Sequence, residues 1–187
     1  DYKVTGVQTC ALPISAGLPD DDLGPLTDEA DPPYPLLVTI GQSDTGELWL
    51  LNCEDLGILA LTGDLDRSRA FARHLVAQLA VNPWSEAVTV DCIGIAAEAE
   101  PLGTAIHYHP TPAAADAVDD TLATAVAMVD RATGHSTDVA TARTGQADDD
   151  LWPSRLLILD TESGEPEHLA ALLELVDTHA GHTATAI

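Results

Sequence analysis

Gly57-Ile-Leu-Ala-Leu-Thr-Gly63-Asp-Leu-Asp-Arg-Ser-Arg69 is the stretch on which the fold turns. Its first half is an apolar run closed by a glycine, the form of a buried strand that ends in a tight turn. Its second half opens a helical period. Phe71, Leu75 and Leu79 fall at i, i+4 and i+8, with Ala72 and Val76 flanking the same stripe. Asp66 is a natural N-cap and Asn82-Pro83 a natural stop. The spacing therefore predicts a strand over 58–62 and a helix over 67–81.

Upstream, Leu36–Ile40, the turn Gln42–Gly46 and Glu47–Leu51 read as a β-hairpin. Downstream, strands are expected at Val88–Ile95, Thr104–Tyr108, Arg155–Asp160 and Thr183–Ile187. Between them a helix from about Pro112 to Thr133 carries Val118, Leu122, Val126 and Val129 on one side. Asp138–Arg143 adds a turn or two before the polar loop Thr144–Asp150. A last helix starts near Pro166, buries Leu169, Leu172, Leu173 and Val176, and ends at Gly181. Strands alternating with helices predict a mainly parallel α/β sheet behind an N-terminal hairpin.

The 187 residues correspond to about one domain. Val4–Ile14 matches the translation of a common sequencing-library adaptor, so residues 1–15 are expected to be non-native. Cys10 and Lys3, the only lysine, fall within them. Residues 16–35 are rich in Pro, Asp and Gly without an apolar period and read as a disordered acidic linker. The α/β domain then occupies 36–187. It stops inside a β-branched strand and is expected to be incomplete at its C-terminus.

Seven Lys and Arg against 31 Asp and Glu give a net charge of -24. That balance argues against nucleic acid or anionic membrane as a direct partner, since both need clustered cations. No apolar run approaches the ~18 residues a membrane span needs. Cys10, Cys53 and Cys92 form neither a disulfide framework nor a metal-binding CxxC. The latter two read as small buried hydrophobes.

The layout around Gly63 is that of a phosphate-binding loop, which needs GxxxxGK[ST]: glycines to wrap the phosphates, Lys to neutralise them, a hydroxyl to hold Mg²⁺. Here the Lys and the second Gly are missing, and Gly63 to Arg67 is two residues short. Asp64 and Asp66 would repel a phosphate at close range. If nucleotide bound, Gly63, Arg67, Ser68 and Asp160 would be the cofactor-binding residues. Leu156-Leu-Ile-Leu-Asp160 has the form of a strand whose closing acid holds Mg²⁺ through water, or simply of a strand ended by a turn acid. No catalytic residue, cofactor or metal is assigned. His107, His109, His179 and His182 read as surface histidines, and the triplets Asp20–Asp22 and Asp148–Asp150 as solvated loops. Trp49, Trp84 and Trp152 are expected to plug core edges.

In order, hairpin, glycine turn, helix and hydrophobic-Asp strand resemble the motor domains of the FtsK-like DNA-translocase and type VII secretion ATPase superfamily. The carrying residues are Ile40-Gly-Gln-Ser-Asp-Thr-Gly-Glu-Leu-Trp-Leu-Leu-Asn-Cys-Glu-Asp-Leu56, then Gly57–Gly63, then Arg73–Ala80. Leu59-Ala-Leu-Thr-Gly-Asp64 and Leu79-Ala-Val-Asn-Pro-Trp-Ser85 also resemble a degenerate form of this domain. That form is the middle region of large actinobacterial membrane proteins that carry LysM and bacterial transcriptional activator modules. The resemblance implies a P-loop NTPase-like sheet, with no catalytic residue carried over because the Lys position has no match. It also implies a non-catalytic cytoplasmic module of a membrane-anchored regulatory or envelope protein. Such a module would act on a protein partner or on neighbouring domains of its own chain. The alternative is a divergent ATPase.

Overall fold

A computed structural model describes residues 13–14, 34–82, 85, 87–144, 152–163 and 166–187. Apart from residues 13, 14, 34 and 35, the expected adaptor segment and linker lie outside these, as do the two acidic triplets and Trp84.

Among the described residues, two sheets are present. The first joins β1 (Pro13–Ile14), β2 (Leu37–Gln42) and β3 (Leu48–Asn52), all antiparallel. The β2–β3 turn is closed by Ser43 N–H to the Glu47 carbonyl (2.8 Å) and Gly46 N–H to the Ser43 carbonyl (3.0 Å). Gly46 has φ +89°, a conformation that costs glycine little. The register slips between Thr39 and Gly41, and Ile40 at this bulge is exposed. Trp49 is exposed too, not at a core edge as expected.

The second sheet is wholly parallel, in the order β5-β4-β6-β7: β4 Val88–Ile93, β5 Ile106–His109, β6 Ser154–Leu159 and β7 Thr185–Ala186. Central β4 buries nearly every residue, which a parallel strand covered on both faces requires. Val88, Val90 and Cys92 point toward α2 (Leu65–Val81) and the hairpin residues Leu36, Val38 and Leu51. Ile93 and Leu157 point toward α3 (Ala115–His135) and α5 (Leu169–Thr178).

The run 58–62 forms no strand. Two backbone bonds join it to the outer edge of β7: Leu59 N–H to the Ile187 carbonyl (2.7 Å) and Ile187 N–H to the Gly57 carbonyl (2.8 Å). Ala60, Leu61 and Thr62 lie exposed. On α3 the buried face is Ala117, Val118, Thr121, Ala125 and Ala132. Small side chains let α3 lie close to α5, while Val126 turns to solvent.

Short α1 (Cys53–Leu56) and α4 (Val139–Thr144) are tied together by charge. The Arg143 guanidinium donates to both Glu54 carboxylate oxygens (2.7 and 2.8 Å), to Ser154 Oγ (2.6 Å) and to the Trp152 carbonyl (3.0 Å). All three side chains are buried, and the Ser154 hydroxyl also lies 2.9 Å from Glu54. Trp152 is buried as expected and stacks under Arg131 at 3.9 Å.

On the surface, His168 Nδ1 sits 2.6 Å from Asp119 Oδ1, linking the approach to α5 with α3. The bond to that carboxylate raises the imidazole pKa above the ordinary histidine value. The pair's contribution is therefore complete below the unfolded-state pKa and is lost as pH rises through the folded one. An NMR titration is expected to show this upward shift, and Asp119→Asn to remove most of it.

Candidate functional site

The C-terminal ends of the parallel strands and the start of α2 enclose a cleft of about 440 Å³. Gly57–Thr62 and Ile187 form one wall, Leu65, Ser68, Arg69 and Ala72 another, and Leu156–Thr161 with Leu169 and Leu173 the rest. Open α/β sheets place ligands at this end.

Gly63 turns the chain into α2 with φ +112°, and open space surrounds the position its Cβ would take. Asp64 caps the helix: its Oδ1 accepts from the Arg67 N–H at 2.9 Å and its carbonyl from the Ser68 N–H at 3.0 Å. The cap is thus Asp64 and not Asp66, because the helix starts two residues earlier than the apolar stripe suggests. Asp64→Ala is expected to lower stability by about 1 kcal/mol in urea unfolding, and Asp66→Ala to change it far less.

Of the sequence-derived candidates, Ser68 and Asp160 line the cleft, whereas Gly63 and Arg67 do not. Arg67 is exposed on the first turn of α2. The residue that reaches Asp160 is Arg69. Its Nε and Nη2 both donate to Asp160 Oδ2, at 2.9 and 2.6 Å, while Asp160 Oδ1 accepts the Glu162 N–H at 3.2 Å. Asp160 is buried and Arg69 about one-third exposed. The helical period contains the signal for this pairing: Arg69, Ala72, Val76 and Leu79 follow one another at helical spacing, so Arg69 continues the buried stripe one turn earlier.

A second polar cluster lies on the α3 face of the sheet. Asp91, almost fully buried, holds His109 Nε2 at 2.9 Å through Oδ1. Its Oδ2 has Arg155 Nε at 3.3 Å as an ion-pair neighbour but accepts no hydrogen bond. Arg155 also reaches Asp120 at 2.7 Å. His109 is accordingly a half-buried hydrogen-bond partner of Asp91 and not the surface histidine its sequence position suggests; His107 is exposed. Among the described residues no three His, Cys, Asp or Glu are grouped to hold a metal, and no helix is long and apolar enough to cross a membrane. Cys53 and Cys92 are buried, as expected. Burial, reinforced by Glu54 and Asp91 respectively, pushes both thiols up to about 12, so neither is a thiolate nucleophile at neutral pH.

The helix-flanked parallel sheet, the antiparallel hairpin before it and the acid closing β6 constitute a P-loop NTPase-like α/β fold. Among solved structures the chain is similar to the pCW3 conjugation coupling protein TcpA, described as a monomer form with ATPγS. The TM-score is 0.55 at 13% sequence identity, over 87% of this chain and 49% of that one. The chain thus spans about half the length of that protein. The sequence matches no known protein family and no curated protein.

The residues present do not fit a Mg²⁺-nucleotide. The helix start that would meet phosphate is taken by the Asp64 carboxylate, no lysine accompanies it, and the acid closing β6 is paired with Arg69.

Proposed function

We propose that this chain is a non-catalytic P-loop-like module that acts through protein contacts. We place it in the cytoplasmic part of a larger, membrane-anchored regulatory or envelope protein. One observation carries the reading. Asp64 Oδ1 accepts the Arg67 N–H at the start of α2, where an anionic ligand would bind. A fixed carboxylate there satisfies the helix and repels phosphate. Calorimetric titration with Mg·ATP is expected to give no saturable binding at micromolar concentrations; a saturable isotherm would sink the proposal. The excess of acids also leads us to expect no DNA shift, even at low salt.

A divergent ATPase is the second reading. Ser68 and Asp160 sharing one cleft favours it, together with the likeness to a protein described with ATPγS. It requires turnover that Asp160→Asn abolishes, and absence of turnover in the full-length protein removes it.

A further inference from the structure

We propose that Arg69 is the resident counter-ion of Asp160: it closes the acid at the end of β6 to divalent cations and holds the start of α2 to the sheet without one. The argument starts from the misfit at the cleft. A buried carboxylate at a strand end needs a partner, because burying an unpaired charge is costly. In this chain the partner is covalently part of the fold.

Two guanidinium N–H groups converge on Oδ2 at 2.9 and 2.6 Å, and a backbone N–H takes Oδ1 at 3.2 Å. The contact spans 91 residues of sequence, from the second turn of α2 to the residue after β6. No other described cation competes for the site. Arg67 is exposed and does not line the cleft, Arg73 is engaged with Glu98 at 2.6 Å, and Arg155 serves Asp91 and Asp120. Arginine suits the task, since its fork presents donors in fixed geometry and stays charged at any working pH. The remaining walls are mainly apolar: Ile58, Leu59, Leu61, Leu65 and Leu173. Within the cleft, the charge of the Asp160 carboxylate is balanced by Arg69. The inference does not depend on the absence of nucleotide binding, because it concerns the cation alone.

The test uses Mn²⁺ as a paramagnetic probe on the ¹⁵N-labelled chain, with NaCl matched for ionic strength. In the wild type, the Thr161 and Glu162 amide signals are expected to broaden no more than exposed acidic loops do. In Arg69→Gln the same signals should broaden about tenfold more at equal Mn²⁺, and adding Asp160→Asn should cancel the gain. Wild-type thermal unfolding should be the same in EDTA and in Mg²⁺ at matched ionic strength. Equal broadening in wild type and Arg69→Gln would overturn the proposal. So would a Mg²⁺-dependent rise in the wild-type melting temperature. Should Arg69→Gln fail to fold, Arg69→Lys provides the second variant. It keeps the charge without the fork and is expected to admit Mn²⁺ to an intermediate degree; wild-type exclusion combined with wild-type stability would contradict the geometric part of the proposal. Saturable Mg·ATP binding with Mn²⁺ still excluded would refute the function proposed above and leave this inference standing.

Discussion

Replacing Arg143 with Ala is expected to cost about 3–5 kcal/mol, because it leaves the Glu54 carboxylate buried without its counter-charge. In thermal unfolding that corresponds to a fall on the order of 10 °C for a domain of this size. This guanidinium donates to both Glu54 carboxylate oxygens, to Ser154 and to the Trp152 carbonyl, so its removal strips several buried acceptors at once. The comparison that isolates the cause is a double substitution. Glu54→Leu with Arg143→Met removes both charges, fills similar volume and should recover most of the loss, since an ion pair stripped from water gains little over packed hydrocarbon. Arg73→Ala supplies the exposed counterpart. Its pair with Glu98 is solvated on both sides and should be worth about 1 kcal/mol or less. If urea unfolding gave equal losses for Arg143→Ala and Arg73→Ala, the buried cluster would not be a structural tie.

Leu172→Ala is the second large effect, expected at about 2–5 kcal/mol. Leu172 is fully enclosed between α3, the sheet and the rest of α5, and truncation leaves a cavity that the surroundings fill only in part. Val126→Ala on α3 should stay within about 0.5 kcal/mol, because Val126 faces water. Sequence periodicity placed both residues on buried faces. A loss for Val126 comparable to that for Leu172 would mean α3 is rotated from the orientation described here.

How much of this was legible beforehand follows from the physics of each element. The parallel strands at 88–93 and 154–159 announce themselves, because burial on both faces favours predominantly apolar runs. The hairpin was legible from its turn chemistry. The run 58–62 misled because apolar character reports what a segment can bury, not whether a neighbour is there to pair with it. On α3 the periodicity places Val118 and Leu122 correctly against the core but also includes exposed Val126 and passes over Ala117, Thr121, Ala125 and Ala132; close helix packing selects small side chains, which carry little hydrophobic signal. The site was half legible. Asp160 closes an apolar strand and Ser68 lies near a helix start, both visible in the sequence, whereas the pairing of Asp160 with Arg69 follows from the helical phase of α2.

Asp91 shows a different limit. An acid inside an otherwise apolar strand looks like an interruption, and only the sheet register reveals His109 and Arg155 as its neighbours. Pairing across strands distant in sequence leaves no local trace.

The two ion pairs that tie the cleft and the base of the domain each close a long stretch of chain, 91 residues for Arg69–Asp160 and 89 for Glu54–Arg143. The partners of each pair lie far apart in sequence, so bringing them together costs loop-closure entropy. Such topology favours slow folding, because loop entropy is spent before the contacts that repay it form. Weakening either should accelerate unfolding and leave the folding rate nearly unchanged. During that slow assembly, the charge of -24 keeps unfinished chains apart through mutual repulsion while their sheet edges are still open.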